Sequence, residues 1–283
     1  MYQYSVKERS IMSNNYNKIG FIGSGKMAGA IIKGLIKTGF TSSENIVATQ
    51  AEPNEIEEKS KTLGIKIILD NKELVKDSDV IFIATKPNQV LGVLEEIKPF
   101  VTPEKLIVSI AAGVNTNKLE TNLPEGSKVI RVMPNTPALV GEGMSGMVGG
   151  KYAEENDIEF VKGLLSTIGK CIVVDDENQI DIVTAISGSG PAFFYKVINE
   201  IARAGEKLGM DYDKALLLSI QTAIGSAKMA LNRDISMEQL IANVATKGGC
   251  TAVGVDCMNE NNTENLFYDV ISKTTEKAHS LGN

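Results

Sequence analysis

The sequence predicts an α/β fold: a sheet layered with helices in the first half, followed by an all-helical second half. Three observations predict it. Up to about Val132, short β-rich runs alternate with helical stretches, the order that builds parallel sheets. Several of those runs are continuously apolar, as in strands covered on both faces. Beyond about Val174 the strand pattern stops, and helical periodicity continues to the C-terminus.

Ile19-Gly20-Phe21-Ile22 reads as the first strand, followed by Gly23-Ser24-Gly25 and a helical run to about Lys37. Further strands are read at 46–49, 65–69, 79–84, 106–110 and 129–132. In the second half, Ser189-Gly190-Pro191 opens a helix, with proline in the first turn where its missing N–H costs nothing. Phe193, Phe194, Val197, Ile198, Ile201 and Ala202 then form an apolar stripe at helical spacing. Asp211 is placed to cap the next long helix. Ser236 with Gln239 reads as a capping box, and a last helix starts at Thr263. The plan is an N-terminal extension over 1–17, a sheet domain over 18–176 and a helical domain over 177–283.

Composition narrows the function. Of 283 residues, 43% are hydrophobic and 23% charged, an ordinary globular balance. No stretch approaches the ~20 apolar residues of a membrane span. Residues 1–17 are polar and lack the apolar core of a signal peptide, so a cytoplasmic location without membrane partners is expected. Met12 is an alternative start that would leave the first eleven residues as a loose extension. The net charge of −6 and the lack of a basic stripe argue against a nucleic-acid partner. Three cysteines are too few for a disulfide framework, and Cys250 and Cys257 lack the short paired spacing of a zinc site; no metal is expected. Cys171 and Cys257 read as small buried hydrophobes. The single histidine, His279, reads as a solvated tail residue rather than a base.

Gly23-Ser24-Gly25-Lys26-Met27-Ala28 is G-x-G-x-x-A between a strand and a helix. Gly23 permits the tight turn, Gly25 lets backbone approach a pyrophosphate, and Ala28 lets the helix pack close to the strand. The helix start offers free N–H groups and a partial positive charge to the phosphates. A tight strand–helix turn without a ligand is the plainer alternative; the strand–helix context near the chain start favours a Rossmann-type dinucleotide-binding domain. The acid that would grip an NAD ribose is expected at the end of the second strand. There the chain reads Thr49-Gln50-Ala51-Glu52, with Glu52 slightly late and no arginine for a 2′-phosphate. Alanine in place of the third glycine leans towards NADPH, with NADH as the alternative.

Further along stand Ala84-Thr85-Lys86-Pro87, Ser109-Ile110-Ala111-Ala112-Gly113 and Arg131-Val132-Met133-Pro134-Asn135-Thr136-Pro137. Then come Ser187-Gly188-Ser189-Gly190-Pro191-Ala192 and Thr246-Lys247-Gly248-Gly249-Cys250-Thr251. This ordered set resembles pyrroline-5-carboxylate reductase, from about Lys18 to the C-terminus. The resemblance implies NAD(P)H-dependent reduction of 1-pyrroline-5-carboxylate to L-proline, the last step of proline biosynthesis. It also implies that the helical domain dimerises, giving a homodimer or a larger ring of dimers.

Residue by residue, the resemblance places the cofactor on Gly23, Ser24, Gly25, Lys26 and Met27, with Asn71 on the adenosine side. Ala84, Thr85, Lys86, Pro87, Ile110, Ala111 and Ala112 would hold its ribose and nicotinamide ends, with Asn135 beside the nicotinamide. The substrate is a small cyclic imino acid. A protonated imine is already electrophilic, so orientation does most of the work and a carboxylate anchor is the main requirement. Two glycines before a helix start suit that anchor. The resemblance puts substrate contacts on Glu177, Asn243, Thr246, Gly249, Cys250 and Thr251. Thr251 is the catalytic candidate, bonding the imine nitrogen or relaying its proton; the alternative is a helix N-cap without chemistry. One departure stands out: Lys247 occupies a position where the family usually has proline. Its ammonium either attracts the substrate carboxylate or simply faces solvent.

Two rivals use the same scaffold. A β-hydroxyacid dehydrogenase would employ a lysine on the first long helix of the second domain, and Lys196 with Asn199 is the candidate there. A solvated helix lysine is the plainer reading. A non-catalytic NADPH-sensing protein would bind the cofactor and turn over no imine.

Overall fold

The structure is a computed structural model and describes residues 16–231 and 234–282. The alternative start at Met12 and most of the 1–17 extension lie outside the described residues. Tyr16 and Asn17 are tied to the sheet domain: the Tyr16 hydroxyl donates to Asp157 Oδ1 at 2.7 Å, and the Asn17 N–H to Asp79 Oδ2 at 2.8 Å.

By compactness the chain divides into two units. One runs to Gly188 and takes in the segment from Thr274; the other is Ser189–Lys273. In the first unit, β1 (Ile19–Ile22) leads into α1 (Lys26–Thr38). Then follow β2 (Ile46–Thr49), α2 (Ile56–Leu63), β3 (Lys66–Ile68), α3 (Asn71–Asp77), β4 (Val80–Ile83) and α4 (Val90–Ile97). β5 (Leu106–Ser109), α5 (Thr116–Thr121), β6 (Lys128–Met133), β7 (Gly143–Gly149), α6 (Glu155–Leu165), β8 (Gly169–Val173) and α7 (Glu177–Val183) complete it. The strands form one sheet in the order β3-β2-β1-β4-β5-β6-β7-β8, parallel except where β6 meets β7. Strand order reverses between β1 and β4, the place where open α/β sheets leave a ligand crevice.

The continuous apolar runs are explained by two cores, one per face. Ile19 and Phe21 pack with Ile31, Ile32 and Leu35 of α1 and Phe160, Val161 and Leu164 of α6. Ile22, Ile81 and Ile83 pack on the other face with Leu74 and Val75 of α3 and Leu94 and Ile97 of α4. Phe21 stacks on Phe82 with ring centroids 4.6 Å apart. Gly20 is the one gap in β1, and a Cβ there would lie 2.4 Å from Leu74 Cδ2.

The sequence reading finds six strands, and the structure has two more among the described residues. β7 reads Gly-Met-Ser-Gly-Met-Val-Gly, and its glycines hide its β character. They are needed because neighbours press on the strand: a Cβ on Gly146 would meet Val183 at 2.6 Å, and one on Gly149 would meet Ile158 at 3.1 Å. The same packing of α7 on β7 explains why compactness divides the chain at Gly188. The 176/177 boundary marks a different event, the end of the strands.

Cys171, on β8, packs at the edge of the first core, and burial pushes its thiol pKa up to about 12. The expected result is that Cys171 resists iodoacetamide in the folded protein at pH 8 and reacts once unfolded, as peptide mass mapping would show. Cys257 departs from the sequence reading, since it is exposed in the single chain on an outward face of its helix.

The second unit contains α8 (Gly190–Lys207), α9 (Tyr212–Ala230), α10 (Met237–Val244) and α11 (Cys250–Glu260); α12 (Thr263–Gly282) begins in it. Asp211 caps α9 by accepting from the Lys214 N–H. Ser236 caps α10 by accepting from the Gln239 N–H. The reciprocal half of that capping box is replaced, because the Gln239 amide donates to Asn243 Oδ1 at 2.8 Å. α8 and α9 pair through the Ser219 hydroxyl, which donates to the Ile198 carbonyl at 3.0 Å. Much apolar surface stays uncovered in the single chain, including Phe194 at 68%, Leu217 at 67% and Val253 at 69% exposure. An apolar surface of that extent marks an association face. No helix among the described residues is long and apolar enough to cross a membrane.

Candidate active site

In the first unit, a candidate cofactor site lies at the carboxyl ends of β1, β4, β5 and β6. Gly23 has φ +100, and a Cβ there would stand 2.9 Å from the Ala84 carbonyl oxygen. Only glycine holds that turn while β1 and β4 stay paired. Gly25 is the N-cap of α1, and a Cβ on it would meet nothing within 4 Å. Its missing side chain therefore serves no internal packing and leaves open room at a helix start. No side chain caps α1, and its first turn holds no acid, so its N–H groups face that room without competition. Ser24 is buried and donates to Gln50 Oε1 at 2.8 Å, which ties the glycine turn to the end of β2. Gln50 in turn donates to Glu55 Oε2 at 2.5 Å, while Glu52 faces solvent. A groove of ≈ 440 Å³ runs from Ser24, Gly25 and Lys26 along α1 past Lys33 and Lys59.

Across the crevice, the Ala84–Pro87 loop follows β4. The Thr85 hydroxyl is buried and has no partner, an orphan that a ligand hydroxyl or phosphate would satisfy. Lys86 and Pro87 are exposed. Ile110 and Ala112 are accessible beyond β5, whereas Ala111 is buried with its N–H bonded to Ser109 Oγ at 3.3 Å. Met27 is half-buried against the core, and Asn71 starts α3 with its amide donating to Glu96. The open room at Gly25, the uncapped α1 and the orphan Thr85 hydroxyl fit a dinucleotide. Asn135 is 8% exposed; its amide donates to the Ser187 carbonyl, and its oxygen accepts from the Met144 N–H, which ties its loop to β7.

In the second unit, Asn243 lies at the end of α10, Thr246 and Gly249 lie in the turn that follows, and Cys250 and Thr251 open α11. Gly248 has φ +79, the left-handed conformation that reverses the chain. The Gly249 N–H closes the turn on the Thr246 carbonyl at 2.9 Å. Gly249 is the N-cap of α11, no side chain caps that helix, and its first turn holds no acid. The N-cap alternative for Thr251 therefore fails: Thr251 is the second residue of the helix, and its hydroxyl has no hydrogen-bond partner among the described residues. Lys247 is exposed at the edge of this turn. Asn243 is exposed, with its oxygen accepting from Gln239. Lys196, the residue a rival chemistry would use, is exposed and pairs with Glu200 at 2.6 Å on the same helix. Among the described residues no cluster of three His, Cys, Asp or Glu is placed to hold a metal.

Glu177, placed by resemblance among substrate contacts, belongs to the first unit. Both its oxygens are engaged: one by Arg131, the other by the Thr116 hydroxyl at 2.5 Å and N–H at 3.3 Å. Arg131 is 4% exposed on β6, and its other nitrogen lies 3.7 Å from Asp181. His279 is also corrected. Although 58% exposed, its Nδ1 lies 3.1 Å from Asp181 Oδ2, so it is bound rather than free. The sequence reading assigns no role to Arg131. The available signal is a lone cation inside an apolar strand, which requires a buried partner.

Known proteins resemble the chain along more than nine-tenths of its length. Residues 177–281 match the family model for pyrroline-5-carboxylate reductase dimerisation, and residues 18–113 match that for NADP oxidoreductase, coenzyme F420-dependent. A pyrroline-5-carboxylate reductase of Methanosarcina acetivorans is 38% identical over 265 residues, 94% of this chain and 98% of that one. One from Pisum sativum is 35% identical over 271 residues, covering 96% and 98%. The solved pyrroline-5-carboxylate reductase of Coxiella burnetii superposes with a TM-score of 0.90 at 32% identity, covering 95% of this chain and 100% of that one. The Plasmodium falciparum pyrroline carboxylate reductase with NADP bound gives 0.83 at 33% identity, covering 95% and 99%.

Proposed function

The chain belongs to the pyrroline-5-carboxylate reductase family, and from that premise we propose that it reduces 1-pyrroline-5-carboxylate to L-proline with NADPH, NADH being the alternative donor. When bound, the reduced nicotinamide supplies a hydride to the imine carbon. The first unit holds the cofactor: Gly23 to Met27 and the α1 N–H groups take its phosphates, Asn71 lies on its adenosine side, and Thr85 offers its unpartnered hydroxyl. Ala84, Lys86, Pro87, Ile110, Ala111 and Ala112 shape the crevice around its far end.

The observation that carries the substrate reading is the start of α11: a glycine turn, an uncapped helix and a free threonine hydroxyl within four residues. The N–H groups of Cys250 and Thr251 anchor the substrate carboxylate, and the Thr251 hydroxyl bonds the imine nitrogen and relays its proton. Gly249 permits the close approach, and Thr246 and Asn243 are further substrate contacts, whereas the Glu177 carboxylate is engaged by Arg131 and Thr116 within the first unit. The association face of the second unit serves a homodimer, the unit from which a larger ring would be built. The enzyme works in the cytoplasm. A steady-state assay of NADPH oxidation with pyrroline-5-carboxylate tests the proposal. Turnover that saturates in the imine supports it; tight NADPH binding without turnover would support a cofactor sensor.

Lys247 is a local variable in this account. Lys247 is exposed beside the carboxylate anchor, and its backbone N–H makes no hydrogen bond among the described residues that a proline would remove. Replacing Lys247 with proline is expected to raise KM for the imine about threefold at low ionic strength. The difference should shrink as salt rises, because screening removes the attraction the lysine provides. A KM ratio that does not change with salt would show that the ammonium has no part in binding.

A further inference from the structure

Arg131 sits in the middle of β6, and a buried cation needs a reason. Its guanidinium joins three other groups into one cluster within the first unit. One nitrogen pairs with Glu177, the other faces Asp181 at 3.7 Å, and Asp181 passes the contact on to His279 at 3.1 Å. The cluster flanks the segment from Ile110 to Thr116, directly through Glu177 and through the helix turn that carries His279. Glu177 accepts two hydrogen bonds from Thr116 at the segment's far end. His279 belongs to the last turn of α12, and there the Leu281 carbonyl lies against Gly113, where a Cβ would approach to 3.0 Å. Gly113 has φ +71, so the segment bends at that point. The near end is fixed by Ser109, Arg131's partner in the β5–β6 register, which accepts from the Ala111 N–H. The segment is thus pinned at its start, its bend and its end, while Ala112 between them remains exposed.

We propose that Arg131 is a positioning residue: it orients the Glu177 carboxylate, and through Glu177 and the Asp181–His279 pair it holds the Ile110–Gly113 loop in the shape that receives the nicotinamide end of the cofactor. Arginine suits the task because its fork reaches two carboxylates at once, which a lysine point charge does not. The chain's C-terminal turn becomes part of the site without touching either ligand. This rests on the reductase reading for what the loop receives; the clamp itself does not depend on it.

The test compares Arg131→Met, Arg131→Lys, Glu177→Gln and the Arg131→Met/Glu177→Gln double variant by hydrogen exchange and steady-state kinetics. Arg131→Met is expected to speed exchange of the 111–118 amides about tenfold or more. It should also raise KM for NADPH about tenfold with a smaller change in kcat. Arg131→Lys should recover part of both effects, and the double variant should be no worse than Arg131→Met alone, since the two residues act in series. Should Arg131→Met fail to fold, His279→Ala replaces it, with faster exchange at 111–115 expected. Unchanged exchange at 111–118 in a folded Arg131→Met, or at 111–115 in His279→Ala, would overturn the proposal. Wild-type protein that turns over no imine would instead overturn the reductase reading, and the exchange data would still decide the clamp.

Discussion

Replacing Thr251 with valine is expected to lower kcat on pyrroline-5-carboxylate about 100-fold, the scale of losing one positioned proton donor. Valine keeps the shape and removes the hydroxyl. That hydroxyl bonds nothing within the described residues, so folding has nothing to lose. Thermal stability and NADPH affinity should therefore match the wild type, and Thr251→Ser should retain most of the activity. A valine variant with unchanged kcat would remove Thr251 from the chemistry and leave the carboxylate anchor to backbone N–H groups alone. This is a sharper test than alanine, which would also open space at the helix start.

Replacing Gly25 with alanine should weaken NADPH binding about 100-fold, or ~2.7 kcal/mol, while stability changes by no more than about 1 kcal/mol. At Gly25 a Cβ meets nothing and φ is −70, so the folded chain accepts it. The added methyl projects only into the room left for a pyrophosphate. Gly23 gives the contrast: its φ of +100 and the Ala84 oxygen at 2.9 Å make the same substitution costly to the fold itself, about 1–3 kcal/mol. Calorimetric titration with NADPH beside thermal melts separates the two. Equal losses of binding and stability at Gly25 would mean that the turn is only structural.

Much of this architecture is legible from residue pattern. Val80–Ile83 and Leu106–Ser109 are fully buried strands, and their continuous apolar runs say so, because helices cover both faces. The glycine turn at Gly23 is legible because backbone conformation and chemistry demand the same residue there. β7 is not legible: the glycines that let α6 and α7 press on it also remove the side chains that mark a strand. The return of residues 274–282 to the first unit leaves no local trace either. It is made by His279 reaching Asp181 and Leu281 covering Gly113, contacts between positions far apart in sequence. Asn135 shows a related limit. Whether its amide faces a ligand or a neighbouring strand depends on β7, which the pattern conceals.

Hydride transfer to a cyclic imine is followed by moving an isotope from cofactor to product. Purified protein would be given pyrroline-5-carboxylate and NADPH carrying deuterium at both positions of its reactive nicotinamide carbon. The expected product is L-proline carrying one deuterium on its δ carbon, formed in equal amount to the NADPH oxidised. Proline without deuterium, or NADPH held tightly with no proline formed, would contradict the account.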